Sequence, residues 1–244
     1  MRKRNYILGF LSVWLTVGLW ISSVSYAATH IEKIAESDYQ WTGIAISPKG
    51  RMFVNFPTWN DYPADYRVAE LKDGKETAYP NEEWNKEFVC VQSVVADEEN
   101  HLWILDPAKL RGQEVYPTGA RLYDVDLSSN QVKRIYIFPQ STAWPQSYLN
   151  DVRIDTKGRT AYITDSGMGG IIVLDLNTGD SYRALTDVPE VKANLDYIDF
   201  KSTGRNTHLS QSDGIELSED ELDQVAGGRP GRFGGRVSNL PKFG

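Results

Sequence analysis

The chain has 244 residues with 26 basic and 33 acidic side chains, a formal net charge of −7, and 41% hydrophobic residues. That length supports one sizeable core, and the acidic balance argues against a nucleic-acid partner held through phosphates. A lone cysteine, Cys90, rules out an intramolecular disulfide; flanked by Val89 and Val91, it reads as a small buried hydrophobe.

Met1-Arg2-Lys3-Arg4 is a basic start, and residues 7–21 form an uncharged apolar run of 15 residues, short for a membrane span. Ser25 and Ala27 stand three and one residues before a cut after position 27, so residues 1–27 read as a cleaved secretory signal. Removing its three basic residues leaves 26 − 3 = 23 against 33 acids, a mature net charge of −10. The location expected is secreted or periplasmic, with no membrane attachment after cleavage.

Residues 44–55 alternate apolar strand-forming segments around a turn at Gly50, and residues 67–71 add a further strand before Lys72-Asp73-Gly74. Between them Phe56, Trp59 and Tyr62, with Pro57 and Pro63, make an aromatic loop that serves either as a stacking surface or as a lid over a sheet edge. The pattern recurs at 94–106 around Asn100, with a following strand at 120–127 and a turn at Ser128-Ser129-Asn130. Trp144-Pro145-Gln146 invites the same two readings as the aromatic loop.

The third copy is the fullest. A strand through Val152 and Ile154 reaches Asp155, Thr156-Lys157-Gly158 turns, and strands at 160–165, 171–176 and 181–185 follow. The turn residues Gly50, Asn100 and Gly158 lie 50 and 58 residues apart, and glycine and asparagine best tolerate a left-handed conformation there. Four strands in one meander make a propeller blade, and neighbouring blades supply each other's core. The fold class expected is all-β, a propeller with about three blades and a stump.

The stump is residues 213–218, where a fourth copy begins and gives way to the acidic, helix-favouring 219–228. Residues 217–228 resemble the double-glycine leader ends of bacterial ribosomally made peptides, and 229–244 are basic, glycine-rich and expected to be flexible. The domains expected are a signal at 1–27, a partial propeller at 28–218 and a tail at 219–244, with a truncated or chimeric gene preferred over a true fusion. Open blade faces and strand edges then predict self-association, for example two copies closing a six-bladed ring.

Phe53-Val54-Asn55-Phe56-Pro57, Val91-Gln92-Ser93-Val94, Leu102-Trp103-Ile104-Leu105-Asp106, Tyr148-Leu149-Asn150-Asp151-Val152 and Tyr162-Ile163-Thr164-Asp165-Ser166-Gly167 together resemble successive motifs of the yellow and major royal jelly protein family, over roughly residues 40–218. The resemblance implies a secreted six-bladed β-propeller with a ligand pocket at the end of its channel. It also implies either binding of small amines or dopachrome conversion, and so does not by itself supply a reaction.

The inner strand of each blade lines the channel, so the residues opening those strands are the candidates for ligand contact: Thr42 after Trp41, Gln92, Ser93, Asn150, Asp151 and Asp213. Asn150 and Asp213 offer oxygen ligands of the kind calcium takes. The arrangement is similar to that of gluconolactonase-type propellers, although Thr42-Gly43 stands where their first glutamate would be. Asn150 and Asp151 have an alternative role in local backbone hydrogen bonding. Asp97, Asp106, Asp155 and Asp165 recur at matched repeat positions, which suits turn and strand-end bonding. His30, His101 and His208 share no metal or relay spacing and are expected at the surface, and Ser166-Gly167-Met168-Gly169-Gly170 joins strands rather than cradling phosphate. The function expected is binding of a small aromatic or amine ligand at the channel mouth, with no resident cofactor unless calcium; the alternatives are a dopachrome-converting or lactonase-like enzyme and an inactive fragment.

Overall fold

The computed structural model describes residues 32–58, 64–110, 112–186 and 188–192, together with two strands at 197–200 and 205–208. Two compact units divide the chain, Met1–Lys33 and Ile34–Gly244, and every element below belongs to the second. Residues 213–218 and the tail that follows lie outside the described residues.

Three four-stranded antiparallel meanders follow one another, each hydrogen-bonded in chain order. The first comprises β1 (Gly43–Ile46), β2 (Met52–Asn55), β3 (Val68–Lys72) and β4 (Lys75–Ala78). The second comprises β5 (Ser93–Ala96), β6 (His101–Asp106), β7 (Arg121–Asp126) and β8 (Gln131–Ile137). The third comprises β9 (Leu149–Asp155), β10 (Thr160–Asp165), β11 (Ile171–Asp175) and β12 (Ser181–Ala184). A two-stranded sheet of β13 (Tyr197–Phe200) and β14 (Arg205–His208) comes after them. Each meander is one propeller blade. Their first strands neighbour one another, β1 beside β5 and β5 beside β9, so three inner strands share a wall.

The outer strands β4 and β8, the hairpin β13–β14 and a short helix, α1 (Glu82–Glu87), are additions to what the sequence pattern indicated. The helix is started by Asn81, whose side chain accepts from the Trp84 amide at 2.9 Å.

Alternation along the strands divides the core. On β6, Leu102 and Ile104 face the first blade with Phe53, Val68 and Val91, whereas Trp103 and Leu105 face the third with Val152 and Ile163. The outer face of the first blade buries Val54, Phe56 and Leu71 beneath Tyr39, Trp41 and Tyr66. Phe56 thus belongs to a packed lid, while Trp59 and Tyr62 lie outside the described residues. Trp144 carries the Arg183 guanidinium 4.0 Å above its ring.

Side chains latch the blades along the outer rim. Arg51 bridges Glu70 in its own blade and donates to the Leu127 carbonyl of the next at 2.7 Å. In the second blade Arg134 Nη1 and Tyr136 Oη donate to the Leu176 carbonyl of the third, at 2.7 and 2.8 Å.

The β1–β2 and β5–β6 hairpins match. Ser47 donates its amide to Arg51 and Asp97 to His101, three residues lie between, and the last of the three is left-handed: Gly50 at φ 78° and Asn100 at φ 67°. The third blade departs from this. Asp155 pairs with Thr160, which makes the loop one residue longer, and the left-handed position passes from Gly158 to Arg159, at φ 52°. Glycine at 158 answers a different need: its amide donates to Asp155 Oδ1 at 2.8 Å, and a Cβ there would collide with the carboxylate.

Candidate functional site

The ends of the second strands set where the first strands begin. Asp106, closing β6, accepts from the amides of Val89, Cys90 and Ala108 at 2.7, 3.0 and 2.8 Å. Asp165, closing β10, accepts from Ser147 Oγ and from the amides of Tyr148, Gly167 and Met168. The glycine-rich loop therefore closes around a carboxylate of its own chain. The two acids differ in charge balance. Burial pushes the Asp106 carboxyl above its ordinary value despite the three amides. At Asp165 burial acts in the same direction, but the Ser147 hydroxyl and the Arg183 guanidinium, 2.8 Å away, hold the carboxyl below it. Asp97 and Asp155 likewise bond within their own turns.

The Asp165 anchor leads into a break in the pairing of first and second strands that only the third blade has; the second blade's own register shift lies in its outer pair, at Asp124 and Val125. Ile163 pairs with Val152 and Asp165 with Leu149, so Thr164 alone opposes both Asn150 and Asp151. This β-bulge re-aims the two side chains that a regular strand would send to opposite faces. The amide it frees, that of Asp151, donates to Thr164 Oγ1 at 3.0 Å. The register of β1 on β2 and of β5 on β6 is unbroken.

The bulge opens onto a cleft of about 670 Å3 along the shared wall, lined by β1, β5 and the start of β9. Thr42, Gln92, Ser93, Asn150 and Asp151 all line it, whereas Trp41 turns away to bond Glu76 at 2.9 Å. Asp213 lies outside the described residues. Hydrogen bonds between blades brace the lining. Ser93 Oγ donates to Asp151 Oδ1 at 3.0 Å, Tyr148 Oη to Gln92 Oε1 at 2.7 Å, and Asn55 Nδ2 to the Val91 carbonyl at 3.0 Å and, within its own blade, to Thr42 Oγ1 at 2.8 Å.

Arg153, which the sequence reading did not nominate, lines the same cleft and pairs with Asp151 at 2.9 Å. Its signal was present as a cation at a channel-facing position between the apolar Val152 and Ile154. These two are the only charged residues among those described that line the cleft.

Asp213, the second nominated calcium ligand, lies outside the described residues, and the donors that are described do not favour calcium on their own. The cleft's one described carboxylate is already engaged by Ser93, the Val152 amide and a guanidinium, and a cation 2.9 Å away opposes a second, divalent one. Among the described residues no group of three or more His, Cys, Asp or Glu side chains is placed to hold a metal.

Two other expectations meet the structure. Cys90 is fully buried, and burial with the nearby Asp106 raises its thiol to about 11. His101 corrects the expectation of plain surface residence: its Nδ1 lies 2.5 Å from Asp124 Oδ1 and its ring stacks on Trp103. His30 is outside the described residues.

Comparison with known proteins bears on this arrangement. The family model described as major royal jelly protein matches residues 89–226. A search of curated proteins returns no match. Among solved structures, similarity is found to YCF48 bound to D1 peptide, at 11% identity and TM-score 0.43 over 72% of this chain and 49% of that one. Hydrazine synthase of Kuenenia stuttgartiensis gives 15% identity and TM-score 0.41 over 75% and 52%. Apo AztD from Citrobacter koseri gives 13% and 0.35 over 65% and 36%. The chain spans about half the length of the first two of these structures.

Proposed function

This chain belongs to the major royal jelly protein family, and on that premise we propose that it is an exported propeller protein binding a small aromatic or amine ligand in the cleft along its inner strands. The observation that carries the reading is the bulge at Asn150 and Asp151, the one break among the three inner-strand pairings and placed on the cleft wall. A volume of about 670 Å3 suits a small molecule, and the wall combines apolar Ile44, Ile46 and Val95 with a few polar groups held by neighbours. Residues 1–27 serve as the export signal, 28–218 as the propeller and 219–244 as an appended tail, with the protein reaching the periplasm or the medium. Copies associate through open blade edges, so light scattering of the purified chain gives a mass above one chain; a stable monomer that binds no hydrophobe-sensing dye counts against it.

Calorimetric titration with dopamine and tryptamine tests the binding reading. One-site saturable binding is expected, weakened in Asn150→Ala and in Thr164→Val, which removes the hydroxyl that satisfies the bulge. Binding unchanged in both variants would place the ligand elsewhere, and absence of saturable binding by either amine would end the amine reading.

A further inference from the structure

Arg153 is the one cation among the described residues of the cleft wall, on a chain whose formal charge is −7. Its guanidinium is half committed. Nη1 donates to Asp151 Oδ1 at 3.0 Å, lies 2.9 Å from Oδ2, and donates to the Val152 carbonyl at 2.9 Å. Among the described residues Nε and Nη2 have no partner, and these two N–H groups form one planar fork matched to a carboxylate. Asp151 Oδ1 also accepts from Ser93 Oγ and from the Val152 amide, so the carboxylate acts as a fixed post for the arginine. The side chain of Arg153 is 45% exposed and that of Asp151 22%, so the cation is the more accessible half of the pair. Elsewhere along the cleft, Ile44 and Ile46 are 56% and 61% exposed, large for aliphatic side chains.

We propose that the cleft selects ligands bearing a carboxylate, which the Nε–Nη2 fork of Arg153 receives side-on while Asp151 fixes the guanidinium and the apolar body of the ligand lies along β1. The proposal rests on the reading of this cleft as the ligand site and sharpens it: an aromatic amine lacking an anionic group leaves the fork unused and brings a second cation beside the first. A bidentate arginine–carboxylate contact adds both strength and geometric selection. Asp151 also discourages a ligand carrying several negative charges.

Three probes titrated calorimetrically into the full chain test this: 3-phenylpropanoate, phenethylamine, and hexanoate, which has neither ring nor amine. The expected order places phenylpropanoate at least about tenfold tighter than phenethylamine, with the difference lost in Arg153→Gln. Arg159→Gln, on the hairpin outside the cleft, retains it. Should Arg153→Gln fail to fold by circular dichroism, the salt dependence of the native chain decides instead, because an exposed ionic contact weakens as ionic strength rises and an apolar one does not. Tighter phenethylamine binding, or a carboxylate affinity insensitive to both Arg153 and salt, overturns the proposal and leaves the amine reading standing. Arg153-dependent binding of hexanoate with no binding of either ringed probe supports the carboxylate assignment and refutes the aromatic and amine reading. Binding of none of the three overturns both.

Discussion

Replacing Asp165 with alanine tests the anchor on which the site depends. The carboxylate is fully buried and the Arg183 side chain is only 6% exposed, so removal strands a guanidinium in the interior and orphans the amides of Tyr148, Gly167 and Met168. Breaking a buried pair on one side costs about 3–5 kcal/mol, a large part of the roughly 5–15 kcal/mol that holds a domain folded. For a chain of this size that corresponds to a fall in thermal midpoint of roughly 6–20 °C. Urea denaturation followed by tryptophan fluorescence measures the loss, and the Asp165→Ala/Arg183→Met double variant should lose much less than the sum of the singles. The acid limb carries the same signature. Because the folded carboxyl is depressed, its stabilisation is complete above the ordinary carboxylate range and disappears as pH falls through the folded value. Asp165→Ala therefore flattens the stability profile below about pH 4. A loss under about 1 kcal/mol, or strict additivity with Arg183→Met, would refute the claim that the pair and the amides act as one anchor.

Two further outcomes follow from local geometry. Gly158→Ala should lower the urea midpoint by driving a methyl into the Asp155 carboxylate, while Arg159→Gly should be neutral or stabilising by up to about 1 kcal/mol because the left-handed position suits glycine. Cys90, with its thiol raised to about 11, should react far more slowly with a thiol-exchange reagent at pH 8 in the native chain than after unfolding; equal rates would show that the second blade is open at its inner strand.

The repeat was legible because β10 and β11 are short, largely apolar runs, buried along nearly their whole length and bounded by clear turns: 160–165 coincides with β10, and the strand read at 171–176 runs one residue past β11. The outer strands β4 and β8 were not: Lys75–Ala78 is short and polar, and in Gln131–Ile137 the apolar Ile135 and Ile137 are exposed while Arg134 is half-buried, so period two is blurred. The turn at Gly158 misled because the residue type was right and the loop length was not. Five nominated residues do share a cleft, since strand order alone brings inner-strand beginnings to one wall. The bulge leaves no mark in the sequence because a single extra residue changes no composition, and Arg153 reads there as an ordinary solvent-facing cation between Val152 and Ile154. The pairing of His101 with Asp124 joins positions 23 residues apart, which only the register of β6 on β7 brings close.

The rim latches separate two tasks that many proteins place on the same residues. Arg51 and Arg134 clamp blade to blade at the periphery, and the apolar seams beneath them do the rest, so little of the framework's strength depends on which side chains face the cleft. Exchanging lining positions such as Thr42, Gln92 and Ser93 therefore removes their local braces while leaving the rim latches and the apolar seams in place. A relative with the same latches and a different inner lining would keep the architecture while accepting a different guest, and a designer wishing to change selectivity would leave the arginines alone and vary the bulge.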